Sequence, residues 1–110
     1  MKLCYDNSMI NELKRLEIEK IKTDSKVREY FSSIKVFGST ITDHCTEESD
    51  IDLFVTLNKP YENDVDANKA YCYLLTLTPS DKDIFFSHEQ NGEFNPQLYN
   101  RMLSGEEILK

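Results

Sequence analysis

Apolar residues repeat first at helical spacing along the chain, then in short unbroken runs, then at helical spacing again. Met9, Ile10, Leu13, Leu16 and Ile21 share a helix face behind three N-cap candidates, Asp6, Asn7 and Ser8, and predict a helix over residues 8–22. Glu12, Lys14, Arg15, Glu17, Glu19 and Lys20 alternate in sign, as on a solvated face. Thr23-Asp24-Ser25 interrupts the pattern and can cap a second short helix, with Val27, Tyr30, Phe31 and Ile34 as its stripe. One kinked helix and two separate ones both fit.

Residues 34–37, β-branched and aromatic, read as a core strand that stops at Gly38. Residues 39–49 are polar apart from Ile41 and Cys45, which predicts a loop with one helical turn from Ser39. Residues 51–57 form the clearest strand, closed by Asn58-Lys59-Pro60 because proline cannot continue a central ladder. Asp64 or Asp66 then caps a helix through Ala67, Ala70, Tyr71, Leu74, Leu75 and Leu77. Pro79-Ser80-Asp81 is a turn, Asp83-Ile84-Phe85-Phe86 a third strand, and Gln90-Asn91-Gly92 a break. A last helix over residues 96–103 turns Leu98, Tyr99 and Met102 inward and ends near Gly105. The order helix, strand, strand, helix, strand, helix predicts an α+β fold, a small mixed β-sheet with helices packed on it.

At 110 residues the chain fits one domain, 1–110, with room for one modest core and none for a second substrate domain. No apolar run approaches the length of a membrane span and no signal-peptide segment opens the chain, so the expected location is the cytoplasm. Cys4, Cys45 and Cys72 are odd in number and widely spaced, which signals neither a disulfide framework nor a zinc site. The net charge of -7 is uneven: residues 1–35 hold eight Lys and Arg against six Asp and Glu, residues 36–110 five against fourteen. That acidic second part argues against direct nucleic-acid binding, which needs a basic face.

The acidic part also holds the candidate chemistry. Gly38-Ser39 ends one strand, and ten residues later Asp50-Ile51-Asp52 opens the next. Residues i and i+2 of a strand point to one face roughly 6.6 Å apart, so Asp50 and Asp52 project together while Ile51 and Leu53 enter the core. Two such carboxylates can bridge two Mg²⁺ ions about 3.5–4 Å apart, the arrangement that clamps a transferring phosphoryl group. Asp83, leading another strand, adds a third carboxylate able to accept the proton of an attacking hydroxyl. Gly38, lacking Cβ, lets phosphate approach the backbone, and Ser39 offers a hydroxyl and amides beside it.

These residues together resemble the signature of the polymerase-β-type nucleotidyltransferase superfamily in its minimal one-domain form. The likeness extends over residues 8–110, taking in the first helix, Val36-Phe37-Gly38-Ser39, the helix over residues 67–77, Asp83-Ile84-Phe85-Phe86 and the ending from Asn100. The resemblance implies a polymerase-β-like fold and transfer of a nucleoside monophosphate from a nucleoside triphosphate, ATP above all, to an acceptor hydroxyl. It implies two Mg²⁺ ions on Asp50, Asp52 and Asp83, and a triphosphate held by Gly38 and Ser39. It further implies an antitoxin-like role, in which a helical HEPN-domain toxin is the partner and receives AMP on a tyrosine. A chain this small must complete its acceptor pocket with the acceptor itself or with another subunit, so a macromolecular acceptor or a homo-oligomer is expected.

The chain departs from the resemblance at Thr42 and Asp43, where many minimal members carry Arg and Gly. Loss of a positive charge beside the phosphate pocket favours a second reading, a binding module that neutralises or scaffolds its partner by contact. Lys82 is the nearest cation to Asp83 in sequence, but strand alternation turns it to the opposite face. His44 and His88, lacking ligand-spaced partners, read as exposed loop residues. Tyr71-Cys72-Tyr73 and Phe85-Phe86 read as core, and Glu47-Glu48 as a solvated loop tip.

Overall fold

The computed structural model describes residues 9–90 and 95–109. The cap candidates Asp6, Asn7 and Ser8, Cys4, and part of the break at Gln90-Asn91-Gly92 lie outside those residues. The first described helical residues form a 3₁₀ turn, Glu12–Lys14, whose cap is Asn11: its Oδ1 accepts from Leu13 N at 3.0 Å. The turn runs into α1, Arg15–Thr23. Asp24 is extended, with φ -75° and ψ 127°, and its carboxylate accepts from Val27 N at 2.9 Å, so α2, Ser25–Tyr30, is a separate helix.

The inward face of the first helix differs from the predicted one. Leu13, Leu16 and Met9 are exposed, whereas Lys14, Ile18 and Ile21 are buried. These three residues follow the i, i+4, i+7 spacing of one helix face, which a lysine at its head hides from a reading by hydrophobicity. Burying an ammonium is costly unless it is hydrogen-bonded. Lys14 Nζ donates to Glu47 O at 2.9 Å and to Ser80 Oγ at 2.8 Å, which offsets that cost and ties the helix to two loops.

Four strands form one mixed sheet in the order β3-β2-β1-β4. β1 covers Phe31–Phe37, β2 Ile51–Leu57, β3 Lys82–Phe86 and β4 Glu106–Leu109. β1 is antiparallel to both β2 and β4, while β2 and β3 are parallel. β1 starts earlier than predicted because Phe31 leaves the helix extended and pairs with Leu57. β4 is an additional strand beyond the predicted order.

The sheet is apolar on both faces. Ile34 and Val36 of β1 and Ile51, Leu53 and Val55 of β2 meet Ile18, Ile21, Val27, Tyr30, Ala70 and Leu74 in the main core. The last two residues come from α3, Asp64–Leu77, capped by Asn63 rather than by Asp64 or Asp66: Asn63 Oδ1 accepts from Asp66 N at 2.9 Å. The parallel β2–β3 pair needs a crossover connection, and α3 supplies it. Across the sheet, Phe37 and Phe54 pack with Met102 of α4, Pro96–Leu103, and with Phe85 and Leu98. This second, smaller layer borders the site. No helix among the described residues is long and apolar enough to cross a membrane.

Candidate active site

β1 ends at Phe37, and the chain turns at Gly38 into a 3₁₀ turn over Gly38–Ile41. Gly38 has φ +73°, the left-handed region that disfavours a side chain. A Cβ there would also collide with Oδ2 of Asp52 and lie 3.1 Å from its Cγ. Glycine is therefore what lets the Asp52 carboxylate lie against the backbone of this turn. The turn is anchored from the helical side: Asn11 N donates to Thr40 O at 2.6 Å and Asn11 Nδ2 to Thr42 O at 2.8 Å. Thr40 is fully buried, and its hydroxyl donates to Asp50 O at 3.4 Å, tying the turn to the start of β2.

Sheet register brings distant carboxylates together. Asp52 pairs with Phe37 on its antiparallel side and with Asp83 on its parallel side. Asp52 and Asp83 thus stand side by side on the face that carries Phe54 and Phe85, with their carboxyl groups within hydrogen-bonding reach of each other. Burial pushes Asp52 up to about 6, and the hydrogen bond to Asp83 and the charges of Asp83 and Asp50 push the same way; Arg101 opposes them. Asp50 lies just ahead of β2, and both it and Asp83 are exposed.

An all-oxygen donor set of this kind suits a hard divalent cation such as Mg²⁺, which takes one or two carboxylates and completes its shell with water and phosphate oxygens. Asp52 and Asp83 already meet, and Asp50 is close enough to raise the Asp52 pKa. Among the described residues, however, no three His, Cys, Asp or Glu side chains converge on one metal position. Asp52 and Asp83 fit as a carboxylate pair for such an ion, with Asp50 nearby.

Beside the carboxylates lies an open cleft of about 390 Å³. Gly38, Ser39, Ile41 and Thr42 line one side, with His44; Arg101 and Ser104 line the other. Asp43 is exposed and is not among the residues lining this cleft, so its carboxylate does not face it. His44 and His88 are both exposed, and the His88 ring lies 5.5 Å from that of Phe86, away from the cleft.

Lys82 lies on the face opposite Asp83, as strand alternation requires. It is buried, and its Nζ donates to Leu75 O at 3.2 Å and to Thr78 O and Ser80 O at 2.9 Å each. The ammonium thus satisfies carbonyls at the C-terminus of α3, where a positive charge is favoured by the helix dipole. Burial pushes its pKa down, with Glu17 and Asp81 pulling it back. The cation at the cleft is Arg101 instead. Nothing local in the sequence points to it, because only packing of Met102 on Phe37 and Phe54 brings α4 over this end of the sheet.

The aromatic cluster on α3 is split. Tyr73 is half-buried and donates to both carboxylate oxygens of Asp24, at 3.0 and 2.9 Å. Cys72 is an exposed free thiol, while Cys45 is free and buried. Phe85, partly buried against Phe37 with ring centroids 5.7 Å apart, belongs to the site face.

No curated protein matches the chain. A family model described as polymerase beta, nucleotidyltransferase, matches residues 18–109, a span that includes the Gly38 turn, all three carboxylates and Arg101.

Proposed function

Because the chain belongs to the polymerase-β nucleotidyltransferase family, we propose that it is a Mg²⁺-dependent nucleotidyltransferase acting on a hydroxyl of a partner protein. The observation that carries this reading is the in-register pair Asp52 and Asp83, set directly against the Gly38 turn. A carboxylate pair and a turn opened by a glycine lie at one sheet end, which supports a metal-binding pair beside a phosphate-accessible backbone.

In the proposed reaction the acceptor oxygen attacks the α-phosphorus of a nucleoside triphosphate, ATP as the first candidate. The new P–O bond forms as the bond to the bridging oxygen breaks, and pyrophosphate leaves with that electron pair. The acceptor proton passes to a carboxylate, and we assign this role to Asp83, which is exposed and adjoins Asp52. Asp50 and Asp52, with Asp83, would hold Mg²⁺, which supplies charge neutralisation for the transferring phosphoryl group. Gly38 and Ser39 would receive the triphosphate on the cleft side. The acceptor we propose is a tyrosine of a HEPN-type toxin, the reaction being AMP addition by an antitoxin; this role rests on the family resemblance.

Incubation with α-³²P-ATP, Mg²⁺ and a co-purifying partner tests the reading. Label should appear on the partner and vanish in the double variant Asp50→Asn, Asp52→Asn; undiminished label in that variant overturns the site. A second reading, neutralisation by contact alone, is favoured by one observation: residues 38–50 contain no Lys or Arg. It requires that no nucleoside triphosphate with Mg²⁺ raises the melting temperature, since only a ligand of the native state stabilises it.

A further inference from the structure

The Gly38 turn lines the cleft on one side and Arg101 with Ser104 on the other, and residues 38–50 contain no Lys or Arg. We propose that Arg101 of α4 binds the distal phosphates of the nucleoside triphosphate, taking over the role of the cation that the loop over residues 39–49 lacks. This inference rests on the nucleotidyltransferase reading and assigns its triphosphate subsite.

The geometry of the cleft carries it. Gly38, Ser39 and Thr42 form one wall, Arg101 and Ser104 the other, and Arg101 is the one Lys or Arg among the lining residues. At about 390 Å³ the cleft falls in the range of small-ligand sites. The other cations near this end of the described structure are committed elsewhere. Lys82 is buried under the carbonyls of α3, Lys14 under Glu47 and Ser80, and Lys35 donates to Leu103 O at 2.9 Å.

That last bond also fixes where Arg101 stands. Lys35 of β1 holds the last turn of α4, and Met102, fully buried between Phe37 and Phe54, locks the residue next to Arg101 into the sheet. The backbone of Arg101 is therefore set rigidly while its side chain remains exposed. Among the described residues the guanidinium makes no hydrogen bond or ion pair. Its field reaches Asp52 nonetheless, where it opposes the neighbouring carboxylates. A planar fork of donors on a fixed stem, next to a carboxylate cluster, matches the geometry of phosphate oxygens better than a point charge does. When the α-phosphoryl bond breaks, the same fork faces the pyrophosphate on which negative charge develops.

Binding measurements separate this role from simple charge balance at Asp52. Isothermal titration with Mg²⁺ and α,β-methylene-ATP, which cannot transfer AMP, should show Arg101→Gln binding about 10–100-fold more weakly than the wild type. Arg101→Lys should fall between them, and the affinity for AMP should change less than about twofold. Arg101 is exposed, so the melting temperature of each variant should stay at the wild-type value. An Arg101→Gln protein that binds the triphosphate analogue as the wild type does, or that loses AMP and analogue equally, overturns the assignment while leaving the nucleotidyltransferase reading intact. A wild-type protein that binds neither ATP nor the analogue with Mg²⁺ or Mn²⁺ overturns that reading and the assignment together.

Discussion

The carboxylate of Asp52 occupies the space that a side chain at Gly38 would need. The two residues are separated by a loop in sequence and share one site in the fold, so substitution at either is felt by the other. Gly38→Ala should therefore destabilise twice over. The left-handed backbone at φ +73° costs about 1–2 kcal/mol for a non-glycine residue, and displacement of Asp52 adds to it. Thermal unfolding should show a melting temperature lower by at least about 4–8 °C; an unchanged melting curve would mean that Asp52 relaxes without cost.

Asp52 itself should make stability depend on pH. Its folded pKa of about 6 lies above the ordinary value of 3.8. Below about pH 4 both folded and unfolded chains hold the proton, and no penalty exists. As pH rises from about 4 through 6 the unfolded chain ionises first, so stability is lost, and the loss is complete above about 6. The full shift would correspond to about 3 kcal/mol, reduced to about 1–2 kcal/mol by partial exposure to solvent. Asp52→Asn should accordingly be more stable than the wild type near pH 7.5 in chelator-treated buffer and indistinguishable from it near about pH 3.5. Urea titrations at the two pH values measure the difference, and equal midpoints at both would contradict the raised pKa.

Lys82 should behave as a structural residue. Lys82→Met leaves three carbonyls, of Leu75, Thr78 and Ser80, without their donor. The expected loss is about 2–4 kcal/mol, measured as a lower denaturation midpoint. Nucleotide affinity at a temperature where the variant is folded should not change. Loss of affinity without loss of stability would move Lys82 into the site.

The first helix offers a direct contrast. Leu16 is 83% exposed and Ile18 2% exposed. Leu16→Ala should change stability by no more than about 0.5 kcal/mol, whereas Ile18→Ala should cost about 2–4 kcal/mol through the cavity it leaves. Equal effects would restore the apolar face read from the sequence.

That contrast shows what was legible in the chain and what was not. Strand β2 and helix α3 follow from unbroken or periodic apolar runs, and both appear where those runs predict them. The helix break at Asp24 follows from its capping chemistry. The face of the first helix escaped because its inward stripe begins with a lysine, and no local pattern distinguishes a buried, hydrogen-bonded ammonium from a solvated one. β4 escaped for a similar reason. Glu106-Glu107-Ile108-Leu109 has too few apolar residues to announce a strand, and pairing with β1 and burial of Ile108 and Leu109 in the main core make it one. At the site, the Gly38 turn and the carboxylates of Asp50 and Asp52 are close in sequence and could be read together, with Asp83 added by its place at a strand start. Arg101 could not, because its approach depends on how Met102 packs across the sheet.

Strand β1 lies between two partners of very different reach: Ile34 pairs with Val55 on one side and with Leu109 on the other. The first pairing closes a short stretch of chain and the second a long one, which costs more entropy and slows folding. A hairpin of β1 and β2 alone would display Gly38, Asp50 and Asp52 with neither Asp83 nor Arg101 beside them. Pairing of β3 with β2 adds Asp83 and packing of α4 on the sheet adds Arg101, so a half-folded chain carries the motif without its chemistry.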